Sequence, residues 1–183
     1  VVVIGTGYVG LTTATVLAYI GNSVTCLDTN AEKINQLKQG ILPIHEPHLD
    51  EVFEQVRHKM RFTTDYAQAD IPNTEVIIIA VGTPPLPDGD ADLTYLGQAA
   101  ESLAKNLGED FTLIVNKSTV PIGTGKWLEE RIHDYTDALD DIPDRRDFNV
   151  ISSPEFLSQG SALRDSFYPN RIIIGTQHAP SIE

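Results

Sequence analysis

Apolar positions in this chain fall in short, largely apolar runs, and most runs are followed by a turn and then by a stretch with helical periodicity. The runs are Val1-Val2-Val3-Ile4, Val24 to Leu27, Val76-Ile77-Ile78-Ile79 within Glu75 to Val81, Phe111 to Val115, Phe148 to Ser152 and Arg171-Ile172-Ile173-Ile174-Gly175. With Arg61-Phe62-Thr63 they predict seven strands. β-Branched runs without polar alternation read as strands buried on both faces. Between them, Val9, Val16, Leu17 and Ile20 form one stripe of a first helix. Ala31 to Gln39 forms a second, capped by Asn30, closed by Gly40 and turning Ile34 and Leu37 inward. Leu49 to Lys59, Leu93 to Leu107 and Thr124 to Tyr135 complete the set. Strand and helix in alternation predict a parallel, doubly wound α/β sheet with right-handed crossovers.

The first strand stops at Gly5-Thr6-Gly7-Tyr8-Val9-Gly10, a G-x-G-x-x-G spacing between strand and helix. The first glycine permits the turn, the second lets a pyrophosphate approach the backbone, and the third lets helix and strand lie close, with Ala14 keeping that contact thin. The helix N-terminus presents free amides to an anion. The second strand ends at Asp28, 18 residues beyond Gly10 (28 minus 10), near the spacing of a carboxylate that accepts from ribose hydroxyls. Thr29 and Asn30 supply no arginine for a 2′-phosphate, so a Rossmann-type fold binding NAD rather than NADP is predicted. Lys33, in the first turn of the second helix, either reaches the cofactor or is merely solvated.

Composition narrows the class. The 183 residues are 41% hydrophobic and hold one domain with a sizeable core. A formal charge of −13 disfavours nucleic acid and anionic membranes, while helix amides hold phosphate without net positive charge. Cys26, the single cysteine, falls mid-strand as a small buried apolar residue. No run approaches membrane-spanning length and no charged leader precedes the opening strand, which predicts a cytoplasmic protein. A chain that starts inside a strand without methionine and stops at Ala179-Pro180-Ser181-Ile182-Glu183 reads as a piece of a longer one.

Other motifs carry less. His45, Glu46 and His48 suggest a metal, but Pro47 forbids the helical spacing of a zinc pair and no third ligand is near. Gly123-Thr124-Gly125-Lys126 imitates a phosphate loop, yet Val120 and Trp127 stand where a glycine and a magnesium-binding hydroxyl belong. Gly82-Thr83-Pro84-Pro85 lies at a strand's carboxyl edge, where open α/β sheets take ligands, and Pro84 to Asp92 is a polar loop, either a rim over the site or a surface excursion. Ser118 and Thr119 follow the fifth strand as a helix cap or as catalytic hydrogen-bonding groups. Glu155, delivered by the sixth strand, is either a helix-dipole carboxylate or a proton acceptor beside a substrate carbinol. The acidic Asp137 to Asp147 stretch reads as a solvated loop.

Together, Gly5 to Gly10, Pro43-Ile44-His45-Glu46-Pro47, Val81-Gly82-Thr83-Pro84, Lys117-Ser118-Thr119-Val120-Pro121, Ser153-Pro154-Glu155-Phe156-Leu157 and Pro169-Asn170-Arg171-Ile172-Ile173-Ile174-Gly175 resemble the UDP-glucose/GDP-mannose dehydrogenase family across essentially all 183 residues. The resemblance implies the N-terminal NAD-binding domain of an enzyme that oxidises a nucleotide-sugar C6 alcohol to a carboxylate with two NAD⁺. By it, Gly5, Thr6, Gly7, Tyr8, Val9 and Gly10 hold the pyrophosphate, Asp28 and Lys33 the adenosine ribose, and Val81, Gly82, Thr83, Ser118, Thr119 and Val120 the nicotinamide half. Thr119 and Glu155 hold a water or the C6 oxygen; Phe156, Leu157 and Gln159 lie on the substrate side, Gln159 also near the cofactor. The thioester cysteine, the oxyanion lysine, most sugar and uridine contacts and a dimer-forming central helix belong to downstream regions, so this chain alone binds NAD without turning over sugar. Cys26 matches no catalytic position. Three departures stand out: His48 for a common glycine, Ser153 for asparagine, and Gln159 for a second glutamate, which leaves the general base to Glu155. Two other readings remain at this stage, a stand-alone NAD-sensing module and a dehydrogenase for a hydroxy acid or acyl thioester. The Ser118 to Pro121 and Pro154 to Phe156 segments argue against the latter.

Overall fold

In a computed structural model, residues 1–139 and 147–177 are described, and they form one six-stranded, all-parallel sheet. The strands are β1 (Val2–Ile4), β2 (Val24–Leu27), β3 (Met60–Thr63), β4 (Val76–Ile79), β5 (Thr112–Asn116) and β6 (Phe148–Ser152), in the order β3-β2-β1-β4-β5-β6. That is the doubly wound order whose direction reverses between β1 and β4, leaving a crevice at their carboxyl ends. Register pairs Ile4 with both Leu27 and Ile79, so the turns after β1, β2 and β4 emerge at one level.

The helices are α1 (Tyr8–Tyr19), α2 (Ala31–Lys38), α3 (Leu49–Val56), α4 (Thr94–Asn106), α5 (Thr124–Asp137) and α6 (Ala162–Phe167). One face of the sheet, through Ile4, Ile77, Ile79 and Ile114, packs on Leu96, Leu103 and Leu128 of α4 and α5. The other, through Val3, Cys26 and Ile78, packs on Leu11, Ala14 and Ala18 of α1 and on Phe53 of α3. Because β1, β2 and most of β4 are covered on both sides, alternation is absent from their sequences.

Three expectations change. The sheet-facing stripe of α1 is Leu11, Ala14 and Ala18, whereas Val16 packs on Leu49 and Leu163, and Ile20 is exposed. Since α1 lies between the sheet and α3 and α6, it is apolar on two sides, and the larger residues mark its outer one. The third helical stretch ends at Val56 and continues as a 3₁₀ turn over Arg57–Lys59. Between β3 and β4, where the sequence predicts no helix, two 3₁₀ turns make the connection, the second containing Pro72. Finally, Arg171 to Gly175 is not a seventh strand: only Gly175 pairs, antiparallel with Ser152, and Ile172, Ile173 and Ile174 are exposed. β-Branching favours an extended backbone but supplies no neighbouring strand. Part of the acidic stretch after Asp137, and the last six residues of the chain, lie outside the described residues.

Candidate functional site

The turn after β1 distinguishes its three glycines physically. Gly5 has φ of +95°, and a Cβ there would stand 2.4 Å from the Ala80 carbonyl oxygen. A Cβ on Gly10 would stand 1.9 Å from the Gly5 oxygen, so only hydrogen lets α1 lie against the strand end. At Gly7 an added Cβ meets nothing within 4 Å; this residue faces open space. Gly7 is the N-cap of α1 and no side chain caps the helix, so the amides of Tyr8, Val9 and Gly10 precede the first helical bond, Leu11 N–H to Gly7 C=O. Three unfilled donors and the positive end of a twelve-residue helix make an anion site of this turn.

Thr6 serves the turn differently. It is fully buried, and both its amide (2.8 Å) and its hydroxyl (2.7 Å) donate to Asp28 Oδ2. Asn30 N–H donates to Asp28 Oδ1 at 2.9 Å, and Lys33 Nζ lies 3.8 Å from Oδ2. Burial pushes the Asp28 carboxyl up, but the Asn30 and Thr6 hydrogen bonds and the Lys33 charge outweigh it and hold it below the ordinary aspartate value. Thr6 is therefore spent on fixing Asp28 and has no amide left for a phosphate. Asp28, Lys33, Gly5 and Gly7 line a cleft of about 600 Å³ with Tyr66 and, from α4, Tyr95, Gln98 and Ser102. Sequence reasoning missed the α4 wall, because helix residues far along the chain carry no motif.

The cleft continues past Ala80, Val81 and Gly82 into a depression of about 240 Å³ lined by Tyr8, Val9, Thr83, Lys117, Ser118 and Thr119. Here the hydroxyls tie the β4 and β5 ends together: Ser118 Oγ donates to the Val81 carbonyl (2.8 Å), and Thr83 Oγ1 to the Thr119 carbonyl (2.6 Å). Neither Ser118 nor Thr119 caps a helix, since the N-cap of α5 is Gly123, with φ of +90°. The Thr119 residue is exposed and Val120 packs at the edge of the core.

Lys117 also lines a second cleft, of about 620 Å³, with Glu155, Phe156 and Leu157 on one wall and Val16, Leu17 and Ile20 of α1 on another. Burial lowers the Lys117 ammonium below the usual lysine value against the opposing pull of the Glu155 charge, and its Nζ reaches the Ser153 carbonyl at 3.3 Å. Glu155 is half-buried in the irregular segment after β6, where its Oε2 accepts from Leu157 N–H at 2.5 Å. The helix-dipole reading of Glu155 fails, since α6 starts only at Ala162. Phe156 is 49% exposed with the Arg171 guanidinium over its ring, and Gln159 is exposed on the same segment.

Across the described residues, the three depressions adjoin: an anion-binding turn with a fixed carboxylate, a hydroxyl-lined middle, and a carboxylate-bearing cleft. The profile of the UDP-glucose/GDP-mannose dehydrogenase family, NAD binding domain, matches residues 1–183. The chain belongs to this family, as its NAD-binding domain. Its cofactor is NAD, which the open amides, the space over Gly7 and the carboxylate at the end of β2 all fit. The UDP-glucose 6-dehydrogenase TuaD of Bacillus subtilis is 43% identical to the NAD-binding domain over 178 residues, 96% of this chain and 37% of that protein. A UDP-glucose dehydrogenase structure from Pyrobaculum islandicum superposes with a TM-score of 0.89 at 35% identity, covering 99% of this chain and 41% of the other. A GDP-mannose dehydrogenase structure from Pseudomonas aeruginosa gives 0.86 at 29%, covering 98% and 41%. The domain thus spans about two fifths of the length of the relatives it matches. Among its described residues no helix is long and apolar enough to cross a membrane.

Proposed function

We propose that this domain is the cofactor half of a cytoplasmic UDP-glucose 6-dehydrogenase, which converts UDP-glucose, two NAD⁺ and water into UDP-glucuronate and two NADH. Downstream central and C-terminal regions complete the sugar site and a homodimer. One observation carries the reading: Lys117 lines both the depression beside Val81 to Thr83 and the cleft that holds Glu155, so cofactor and sugar pockets meet at one side chain. The relatives above 40% identity that carry the UDP-glucose name favour that sugar over GDP-mannose.

In this reading the amides of Tyr8, Val9 and Gly10 hold the pyrophosphate, and Asp28, fixed by Thr6, accepts from the adenosine ribose with Lys33 beside it. Val81, Gly82, Thr83 and Ser118 to Val120 border the nicotinamide half, and the Thr83 and Ser118 bonds keep that border from collapsing into the gap between β4 and β5. NAD⁺, when bound, supplies a hydride acceptor. Glu155 takes a proton from the sugar C6 oxygen or from an attacking water, and the Thr119 hydroxyl orients that same oxygen. Phe156 and Leu157 cover the pocket, and Gln159 offers hydrogen bonds to substrate or cofactor without taking a proton. The test is an NADH absorbance assay on the full-length protein with a panel of UDP- and GDP-sugars. Two NADH per UDP-glucose are expected, and one NADH per sugar, or turnover confined to a GDP-sugar, contradicts the assignment.

A further inference from the structure

Glu46 is the buried acid that the proposed chemistry does not use. It lies in the loop between α2 and α3 and is 4% exposed. Its Oε2 accepts from the Tyr8 hydroxyl and from Gly160 N–H (2.9 Å), and its Oε1 accepts from Leu163 N–H at 3.4 Å, with the Ala162 amide adding to the set. Gly160 N–H is also 3.3 Å from the Tyr8 oxygen, and Gly160 adopts φ of +90°, a conformation glycine takes without strain. A carboxylate buried between a donor on α1 and three at the entry to α6 is a tie between them, because removing any partner leaves polar groups unpaired.

The tie has two ends. On one side is the segment that leaves β6 at Ser153, carries Glu155 and Gln159, and enters α6. Its near end is fixed by Ser153 N–H to the Asn116 carbonyl (2.9 Å), and its far end by Glu46 through Gly160 and Leu163. On the other side is Tyr8, whose amide opens α1 among the free donors of the phosphate turn while its phenolic hydroxyl donates to Glu46. An anion held by that amide fixes the backbone from which the ring projects.

We propose that Glu46 and the Tyr8 hydroxyl are positioning residues that lock the far end of the Glu155 segment to the phosphate-binding turn, so that coenzyme occupancy orders the substrate side. The proposal rests on the dinucleotide reading of the turn and extends it. The plainer alternative is that Glu46 merely caps α6, in which case the cofactor has no influence on it.

Amide hydrogen exchange by NMR on the whole chain, free and saturated with NADH as judged by NADH fluorescence, separates the two. In wild type, NADH slows exchange at Gly160 and Leu163 at least threefold. In Tyr8→Phe at saturating NADH that slowing disappears. In Glu46→Gln, the tyrosine hydroxyl can reverse and accept from the new amide NH₂, but a backbone N–H cannot. Protection at Gly160 or Leu163 therefore falls about tenfold, as for loss of a bond of about 1.4 kcal/mol, with or without NADH. NADH bound with no slowing at Gly160 overturns this proposal alone, as does a Tyr8→Phe response equal to wild type, which leaves Glu46 as a simple cap. Failure of wild type to bind NADH overturns the dinucleotide reading and this proposal with it. Should Glu46→Gln fail to fold, Tyr8→Phe decides.

Discussion

Replacing each glycine of the opening turn by alanine separates folding from binding, because the three added methyl groups meet different surroundings. At Gly7 the new Cβ touches nothing within 4 Å and φ is −74°, which alanine adopts freely. Alanine is a poorer N-cap than glycine by about 0.5–1 kcal/mol, while its stiffer unfolded chain returns about 0.4–1 kcal/mol, so the net stability change is near zero. At Gly10 the Cβ falls 1.9 Å from one backbone oxygen and 3.0 Å from its carbon, so α1 must retreat from the sheet. Overpacking of that kind costs about 1–3 kcal/mol or more, about 2–12 °C in Tm for a chain of this length. Gly5→Ala combines a 2.4 Å approach to the Ala80 oxygen with φ of +95° and is at least as damaging. Thermal unfolding and NADH fluorescence titration of the three variants form the assay. Gly7→Ala should melt within about 2 °C of wild type yet bind NADH about tenfold or more weakly, since a methyl in the path of the pyrophosphate costs upward of about 1.4 kcal/mol. Wild-type NADH affinity in Gly7→Ala would refute the claim that the ligand crosses this residue. A Gly10→Ala variant as stable as wild type would refute the close packing.

Other variants probe the surroundings. Asp28 has a folded-state pKa below its unfolded value, so it contributes stability that is present above about pH 4 and is lost as pH falls through the lower value; Asp28→Asn should flatten the decline in urea-unfolding free energy between about pH 5 and pH 2, and an unchanged slope would contradict the network around it. Burial pushes the Cys26 thiol up to about 12, so native protein at pH 8 should react with a disulfide reagent only as fast as it unfolds, and immediate labelling would place Cys26 outside the core. His48 begins α3 at φ of +63° with only an exposed contact to Glu51, so His48→Gly should raise Tm by about 1–2 °C through relief of left-handed strain, where a fall would show that the imidazole does more.

Most of the sheet was legible because strands covered on both faces write themselves as largely apolar runs, and the glycine triplet and Asp28 fall, as read, at the carboxyl ends of β1 and β2. What the pattern hid is physical. Two-sided burial erased the stripe of α1, so its largest residues pointed to the wrong face. Ile172 to Ile174 have strand propensity but no strand beside them, and propensity alone does not assemble a ladder. Thr6, read as a phosphate donor, turns out to serve Asp28, which follows only from three-dimensional register. Glu46 was visible as part of a possible metal cluster, but its partners lie 38 to 117 residues away, beyond the reach of any local pattern. His48 likewise takes a left-handed conformation that glycine adopts without strain, which no local sequence pattern announces.

The central claim is that the free amides of the turn hold the pyrophosphate of NAD while the fixed carboxylate at position 28 holds the neighbouring ribose. An NMR titration of the chain with NADH reads this directly. The account predicts that the amides of Tyr8, Val9 and Gly10 and the Asn30 amide beside Asp28 shift together with one dissociation constant, and that NADPH shifts them only at much higher concentration. Shifts confined to other parts of the sheet edge, or equal response to NADPH, would contradict it.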